Sequence, residues 1–150
     1  MSSKALIARL TAASYPYFAE IHTRYTDEDH LGHVNNIAIA GYYDEARNRF
    51  TQAVRDRAGD LTGMRLVTAQ ADVSYRAEVF HPDVLRVGCG ILGIGRASYE
   101  IGQALYQKGR CVGVCRAVFV NAVAPGTAPL PESLRAALQG FMLEPEAAQA

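Results

Sequence analysis

The sequence contains no tryptophan, few cysteines and no excess of either charge. Lysine plus arginine and aspartate plus glutamate number 15 each, so the formal net charge of the 150-residue chain is zero. A net charge of zero does not suggest a nucleic-acid partner, so none is expected. No apolar run approaches the roughly 20 residues of a membrane span, so no membrane association is expected either.

The three cysteines, Cys89, Cys111 and Cys115, are odd in number and lack the spacing of a metal site. Reduced thiols in strands are the expected state, as in cytoplasmic proteins. The N-terminal apolar stretch is too short and broken for a secretory signal, so we expect a cytoplasmic location. The length predicts a single domain over residues 1–150.

A long helix is predicted in the first third of the chain, after a strand over residues 17–25. Its apolar residues recur at steps of four and three: Ile39, Tyr43, Ala46, Phe50 and Ala53. That period is typical of a helix with one buried face. Asn35 or Asn36 is a good N-cap, and Gly59 is a good C-terminal stop.

From residue 65 onward the pattern changes to strands rich in Val, Ile, Tyr and Phe. Four strands are predicted, over residues 65–79, 84–94, 98–107 and 110–123. Lys108-Gly109 is typical of a two-residue hairpin turn, which joins antiparallel neighbours. Small residues in two of the strands suggest a curved sheet pressed against the helix. We therefore predict an α+β fold, an antiparallel sheet of about five strands wrapped around one long helix, followed by a short helix from Pro131 or Glu132.

Residues 24–36, RYTDEDHLGHVNN, concentrate acids, histidines and asparagines just before the long helix. The start resembles a calcium-binding loop, but Leu31 and Ala38 stand where that loop needs oxygen ligands. A zinc site through His30 and His33 lacks a third His or Cys nearby, and Gly32 favours a loop over the helix that would bring both together. No metal or other cofactor is therefore expected.

Taken one at a time, these residues also fit a solvated loop and a helix cap. Their arrangement favours a function, because the carboxylate of Asp29 and the imidazole of His33 stand immediately before a helix N-terminus. Unpaired backbone N–H groups and the positive end of the helix dipole are available there. A base or nucleophile beside such donors suits an attack on a carbonyl group.

The same run, followed by Tyr42-Tyr43-Asp44-Glu45-Ala46-Arg47, resembles the hot-dog thioesterases related to 4-hydroxybenzoyl-CoA thioesterase. The resemblance continues through SYRAEVFHPDVLRV, IGRAS and PLPESLRAAL, and it covers roughly residues 15–138. It implies a hot-dog fold and the hydrolysis of an acyl-CoA or aroyl-CoA thioester, with an acyl-carrier protein as an alternative carrier. It also implies a homodimer or homotetramer, an expectation that agrees with the edge strands that so long a sheet would leave open.

Residue by residue, the resemblance assigns Asp29 as the catalytic carboxylate, either nucleophile or general base. The backbone N–H near Asn36 would polarise the carbonyl oxygen. His33 and Asn35 would orient Asp29 or the substrate, and Arg96 would contact coenzyme A phosphates. The chain departs from the family at Ile39, which replaces a tyrosine.

A second departure is Ala77-Glu78, which replaces Arg-Pro or Leu-Pro. Both departures concern the acyl pocket, so the resemblance does not predict which acyl group the substrate carries.

Two alternatives remain on the same fold. A hot-dog hydratase or dehydratase would resemble a D-x-N-P-x-H pattern, but Asp29 and His33 are four residues apart and no Asn-Pro is present. A non-catalytic acyl-CoA-binding module is disfavoured by Asp29 and the intact HVNN. We therefore expect a thioester hydrolase.

Overall fold

The computed structural model describes residues 3–144, which form one antiparallel sheet and three helices. The strands are β1 (Tyr17–His22), β2 (Leu66–Tyr75), β3 (Val84–Ile94), β4 (Ser98–Gln107) and β5 (Arg110–Asn121). The helices are α1 (Ser3–Ala12), α2 (Asn36–Ala58) and α3 (Glu132–Gln139). The sheet order is β1-β3-β4-β5-β2, and all neighbours are antiparallel. The predicted α+β arrangement around one long helix is confirmed.

The long helix α2 begins and ends where its capping residues predict. The side chain of Asn35 accepts a hydrogen bond from the N–H of Ala38, and Gly59 follows the helix with φ of +84°. Its inner face carries Tyr43, Ala46 and Phe50, none of which is exposed. Burying a side chain such as Phe50 against the sheet contributes about 1.5–3 kcal/mol, so the apolar stripe fixes which face of α2 meets the sheet.

Three of the predicted strands extended too far at their C-terminal ends. The first strand ends at His22, because the chain turns into a short 3-10 helix, Tyr25–Asp27. The second ends at Tyr75, where the next two N–H groups both reach the Val112 carbonyl and the ladder stops. The last strand ends at Asn121 instead of residue 123. The Lys108-Gly109 turn is confirmed, with positive φ at both residues.

The glycines of β3 and β4 contact segments other than α2, which corrects the expectation for that part of the sheet. A Cβ at Gly88 would lie 2.6 Å from Tyr15, and one at Gly102 would lie 2.5 Å from Leu10 of α1. Helix α1 was not predicted from the sequence, because its single buried residue, Leu10, gives no apolar period. Only Gly113 behaves as expected, since a Cβ there would meet the Tyr43 hydroxyl of α2 at 2.8 Å.

The cysteines of the described residues are free, as expected. Cys89 and Cys115 lie in the core beneath α2, whereas Cys111 packs on the outer face of the sheet. Burial raises the pKa of Cys89 to about 12 and of Cys115 to about 11. Cys111 and Cys115 would share a face in a regular strand, but a bulge between Leu105 and Tyr106 shifts the register of β4 against β5 and places them on opposite faces.

Candidate active site

Asp27 lies in the 3-10 turn and is fully engaged in holding it. Its carboxylate accepts hydrogen bonds from the Tyr42 hydroxyl at 2.5 Å and from the backbone and guanidinium of Arg24 at 3.0–3.3 Å. Burial would raise the pKa of this carboxyl, but these hydrogen bonds outweigh burial and the pKa is lowered. Asp27 is therefore a structural anion that ties the turn to α2.

Asp29 lies in the tight loop that follows, and its side chain is 25% exposed. The backbone N–H of Asp29 donates to the His33 carbonyl at 3.0 Å, and its Oδ1 accepts from the N–H of Leu31 at 2.9 Å. Gly32 closes the loop with φ of +82°, a conformation that suits glycine. The loop thus presents the Asp29 carboxylate from a fixed backbone.

His33 stands between two carboxylates. Its Nδ1 lies 3.9 Å from Asp29 Oδ2 and 3.2 Å from the Val34 carbonyl, while its Nε2 lies 3.9 Å from Glu78 Oε1. Glu78 follows β2 and is brought here because the Val34 N–H donates to the Val79 carbonyl at 2.7 Å. This position of Glu78 was not predicted from the sequence, because 45 residues separate it from His33 in the chain.

The N-terminus of α2 begins directly after this loop. Asn35 caps the helix through Ala38, so its side-chain oxygen is already in use. The N–H of Asn36, the first helical residue, has no acceptor within residues 3–144. Such an N–H group, at the positive end of the helix dipole, is free to bind an oxygen atom that carries negative charge.

A pocket of about 270 Å³ opens beside this helix end. Its lining includes His33, Asn36 and Glu78, together with apolar side chains of Val34, Ile39, Ala77 and Val79. Both departures from the family pattern therefore line this pocket. Asp29 lines neither this pocket nor the groove of about 720 Å³ that runs along the exposed side of α2.

Arg96 lies apart from these residues within the chain. It follows β3 at the end of the sheet where Leu66 pairs with Asn121, whereas the loop of His33 contacts the end where Tyr75 pairs with Gly113. The ten residues of β2 separate these ends, a distance of roughly 30 Å for an extended strand. The structure therefore brings together Asp29, His33, Asn35 and Asn36, but not Arg96.

Within the described residues, no group of three or more His, Cys, Asp or Glu side chains could hold a metal ion. A helix long and apolar enough to cross a membrane is likewise not found there.

The family model of the thioesterase-like superfamily matches residues 16–138. Curated proteins gave no match.

Among solved structures, a Thermus thermophilus thioesterase complexed with coenzyme A and zinc is 29% identical, with 84% of this chain and 99% of that chain covered and a TM-score of 0.74. A predicted thioesterase from Bacillus stearothermophilus is 23% identical, with coverage of 86% and 98% and a TM-score of 0.76. A 1,4-dihydroxy-2-naphthoyl-CoA thioesterase from Synechocystis is 18% identical, with coverage of 82% and 95% and a TM-score of 0.70.

These likenesses confirm the hot-dog fold expected from the sequence. The family match spans most of the chain and includes Asp29, His33 and Asn36, whose N–H begins α2. The chain belongs to the thioesterase-like superfamily, and it is a thioester hydrolase.

Proposed function

We propose that the chain hydrolyses acyl-CoA thioesters at the N-terminus of α2, with Asp29 as nucleophile or general base. The observation that carries the proposal is the pairing of a partly exposed carboxylate with an unpaired helix N–H, both held by one short loop. The coenzyme A bound to the Thermus relative supports coenzyme A as the carrier.

In the proposed reaction, the thioester carbonyl oxygen accepts a hydrogen bond from the N–H of Asn36. As the carbonyl carbon becomes tetrahedral, negative charge grows on that oxygen and the hydrogen bond strengthens; one such donor contributes about 3–4 kcal/mol to lowering a barrier. Asp29 either attacks the carbon, forming an anhydride that water then opens, or removes a proton from the attacking water. Either route cleaves the carbon–sulfur bond and releases the free acid and the thiol of coenzyme A.

His33 and Asn35 would support this chemistry in different ways. His33 Nδ1 faces Asp29 and can orient its carboxylate, whereas Asn35 holds the first turn of α2 and so aims the N–H of Asn36. Within this chain, the contacts of Asn35 favour the positioning role over direct contact with substrate.

We also propose that the active unit is a symmetric homodimer, or a tetramer of two such dimers. Strand β2 is an edge strand whose middle residues are exposed, so its outer backbone groups can pair with another copy. Antiparallel pairing of two β2 strands would set the Leu66 end of one copy beside the Tyr75 end of the other. Arg96 of one subunit would then lie near the site that contains Asp29 in the other subunit. In that position, Arg96 could contact the phosphates of a bound coenzyme A.

Sedimentation at micromolar concentration tests the assembly, and a fully active monomer would contradict it.

Arg96→Ala should raise KM for acyl-CoA substrates severalfold. It should leave KM unchanged for S-acyl pantetheine, which lacks the nucleotide phosphates.

The experiment that tests the function is incubation with a panel of acyl-CoA and aroyl-CoA substrates, followed by titration of free thiol. Thiol release that persists in EDTA is expected. Loss of enoyl absorbance without thiol release would instead indicate a hydratase, and tight binding with neither product would indicate a binding module. Activity abolished by EDTA and restored by Zn²⁺ or Ca²⁺ would contradict the metal-free reaction.

A further inference from the structure

The backbone around Glu78 is fixed against two other parts of the chain. On one side, the N–H groups of Arg76 and Ala77 both donate to the Val112 carbonyl, at 2.9 and 3.1 Å. On the other, the Val79 carbonyl accepts from the N–H of Val34, and Val79 is only 1% exposed. The short segment between these attachments therefore holds Glu78 beside the loop that carries His33, although its side chain is 66% exposed.

Glu78 lies at the opposite edge of the His33 ring from Asp29. It lines the pocket at the N-terminus of α2 together with His33 and Asn36, whereas Asp29 does not line that pocket. The two carboxylates approach different nitrogens of the His33 ring, each at 3.9 Å. This distance exceeds that of a hydrogen bond, but hydrogen bonds in active sites often shorten when substrate binds.

We propose that Glu78 is a positioning residue for His33 in the thioester hydrolysis, an inference that rests on the proposed function. A carboxylate beside Nε2 restrains rotation of the ring, so that the edge carrying Nδ1 stays turned toward Asp29. Glu78 would thus act on the reaction through His33 and would not itself contact the reacting atoms. Closure of the pocket on an acyl group would shorten the contact and strengthen the restraint.

The test is a double-mutant cycle with Glu78→Gln, which removes the charge at nearly unchanged size, and His33→Gln. Glu78→Gln should lower kcat about two- to fivefold, since contacts between partly exposed polar side chains rarely contribute more, with KM within about twofold of the wild type. In the His33→Gln background, the same change should have no further effect. Glu132→Gln is a matched control, because the Glu132 carboxylate also lies 4.0 Å from a basic side chain, that of Arg135. Both residues belong to α3, outside the site, so this variant should retain wild-type kcat.

The positioning role would be overturned by wild-type kcat in Glu78→Gln, by wild-type kcat in His33→Gln, or by an equal loss from Glu78→Gln in both backgrounds. A rise in KM at unchanged kcat would make Glu78 a substrate contact and would also overturn the positioning role.

Asp29→Asn, measured in parallel, distinguishes a failure of the role of Glu78 from a failure of the proposed function. If Asp29→Asn is inactive while Glu78→Gln is fully active, only the role of Glu78 fails; if Asp29→Asn is fully active, the proposed catalytic assignment fails.

Discussion

Two carboxylates two residues apart, Asp27 and Asp29, differ in almost every respect that governs their chemistry. The side chain of Asp27 is 4% exposed, and it accepts hydrogen bonds from Arg24 and Tyr42. The side chain of Asp29 is 25% exposed, and its Oδ2 accepts no hydrogen bond within residues 3–144. The turn around Asp27 is built to hold an anion, and the loop around Asp29 to present one.

The difference shows that hydrogen bonding, more than position in the sequence, separates a structural acid from a candidate reactive one. A carboxylate that accepts several strong hydrogen bonds is stabilised in its charged form and is a poor base or nucleophile. Burial and the hydrogen bond to Asp27 also raise the pKa of the Tyr42 hydroxyl, so that it donates as a neutral group. Asp29 has one oxygen fixed by the Leu31 N–H and the other turned toward His33, so it can react without breaking the loop.

The largest expected effect is that of Asp29→Asn on turnover. The amide keeps the oxygen that accepts from the Leu31 N–H but removes the negative charge, so kcat should fall at least about 10²-fold, the lower range for a positioned acid–base group. Thiol release under saturating substrate measures the loss. The urea midpoint should stay within error of the wild type, because Asp29 makes no buried ion pair.

The opposite pattern is expected for Asp27→Asn. The amide lacks the negative charge that accepts hydrogen bonds from Arg24 and Tyr42. Its NH₂ group also cannot accept a hydrogen bond from these donors. The free energy of unfolding should fall by about 2–3 kcal/mol, measured by urea denaturation, while kcat per folded molecule changes only a few-fold. If Asp27→Asn instead lowered kcat as much as Asp29→Asn, the division between the two acids would be wrong.

The sequence was sufficient to predict α2, the antiparallel sheet and the loop that carries Asp29, because each leaves a local pattern. The N-cap at Asn35, the stop at Gly59 and the hairpin at Lys108-Gly109 are short signals that depend on neighbours in the chain. Asp27 and Asp29 could be distinguished only weakly, since the hydrogen bond from Tyr42 comes from 15 residues away.

Features that depend on distant contacts were not predictable in this way. The helix α1 is held by Leu10 packing against Gly102, a pairing across 92 residues that no period reveals. Glu78 stood out in the sequence only as a departure from the family pattern. Its position beside His33 depends on the pairing of Val34 with Val79, which becomes visible only once the chain is folded.

The pH dependence of stability should carry the signature of Asp27. Because its pKa is lowered in the folded state from an ordinary value of 3.8, the stabilisation is complete above about that pH and is lost as the pH falls toward the folded-state pKa. The difference in unfolding free energy between wild type and Asp27→Asn should therefore be constant from pH 5 to 7, on the order of 2 kcal/mol, and should shrink below pH 4. Urea denaturation of both proteins across this range measures it, and a difference that grows at low pH would contradict the assignment.

The smallest expected effect sharpens the comparison at Asn35, which joins the turn of Asp27 to the helix. Its backbone N–H donates to the Asp27 carbonyl, and its side chain caps α2 through Ala38. Asn35→Ala should lower the free energy of unfolding by about 1 kcal/mol, the usual effect of losing a cap. Asn36→Ala is the control for stability, because the side chain of Asn36 is exposed and caps nothing. Loss of the cap lets the first turn fray, so the Asn36 N–H is positioned less well. The kcat of Asn35→Ala should therefore fall a few-fold, with KM unchanged. A large rise in KM would instead make Asn35 a direct contact of the substrate, and its cap a secondary role.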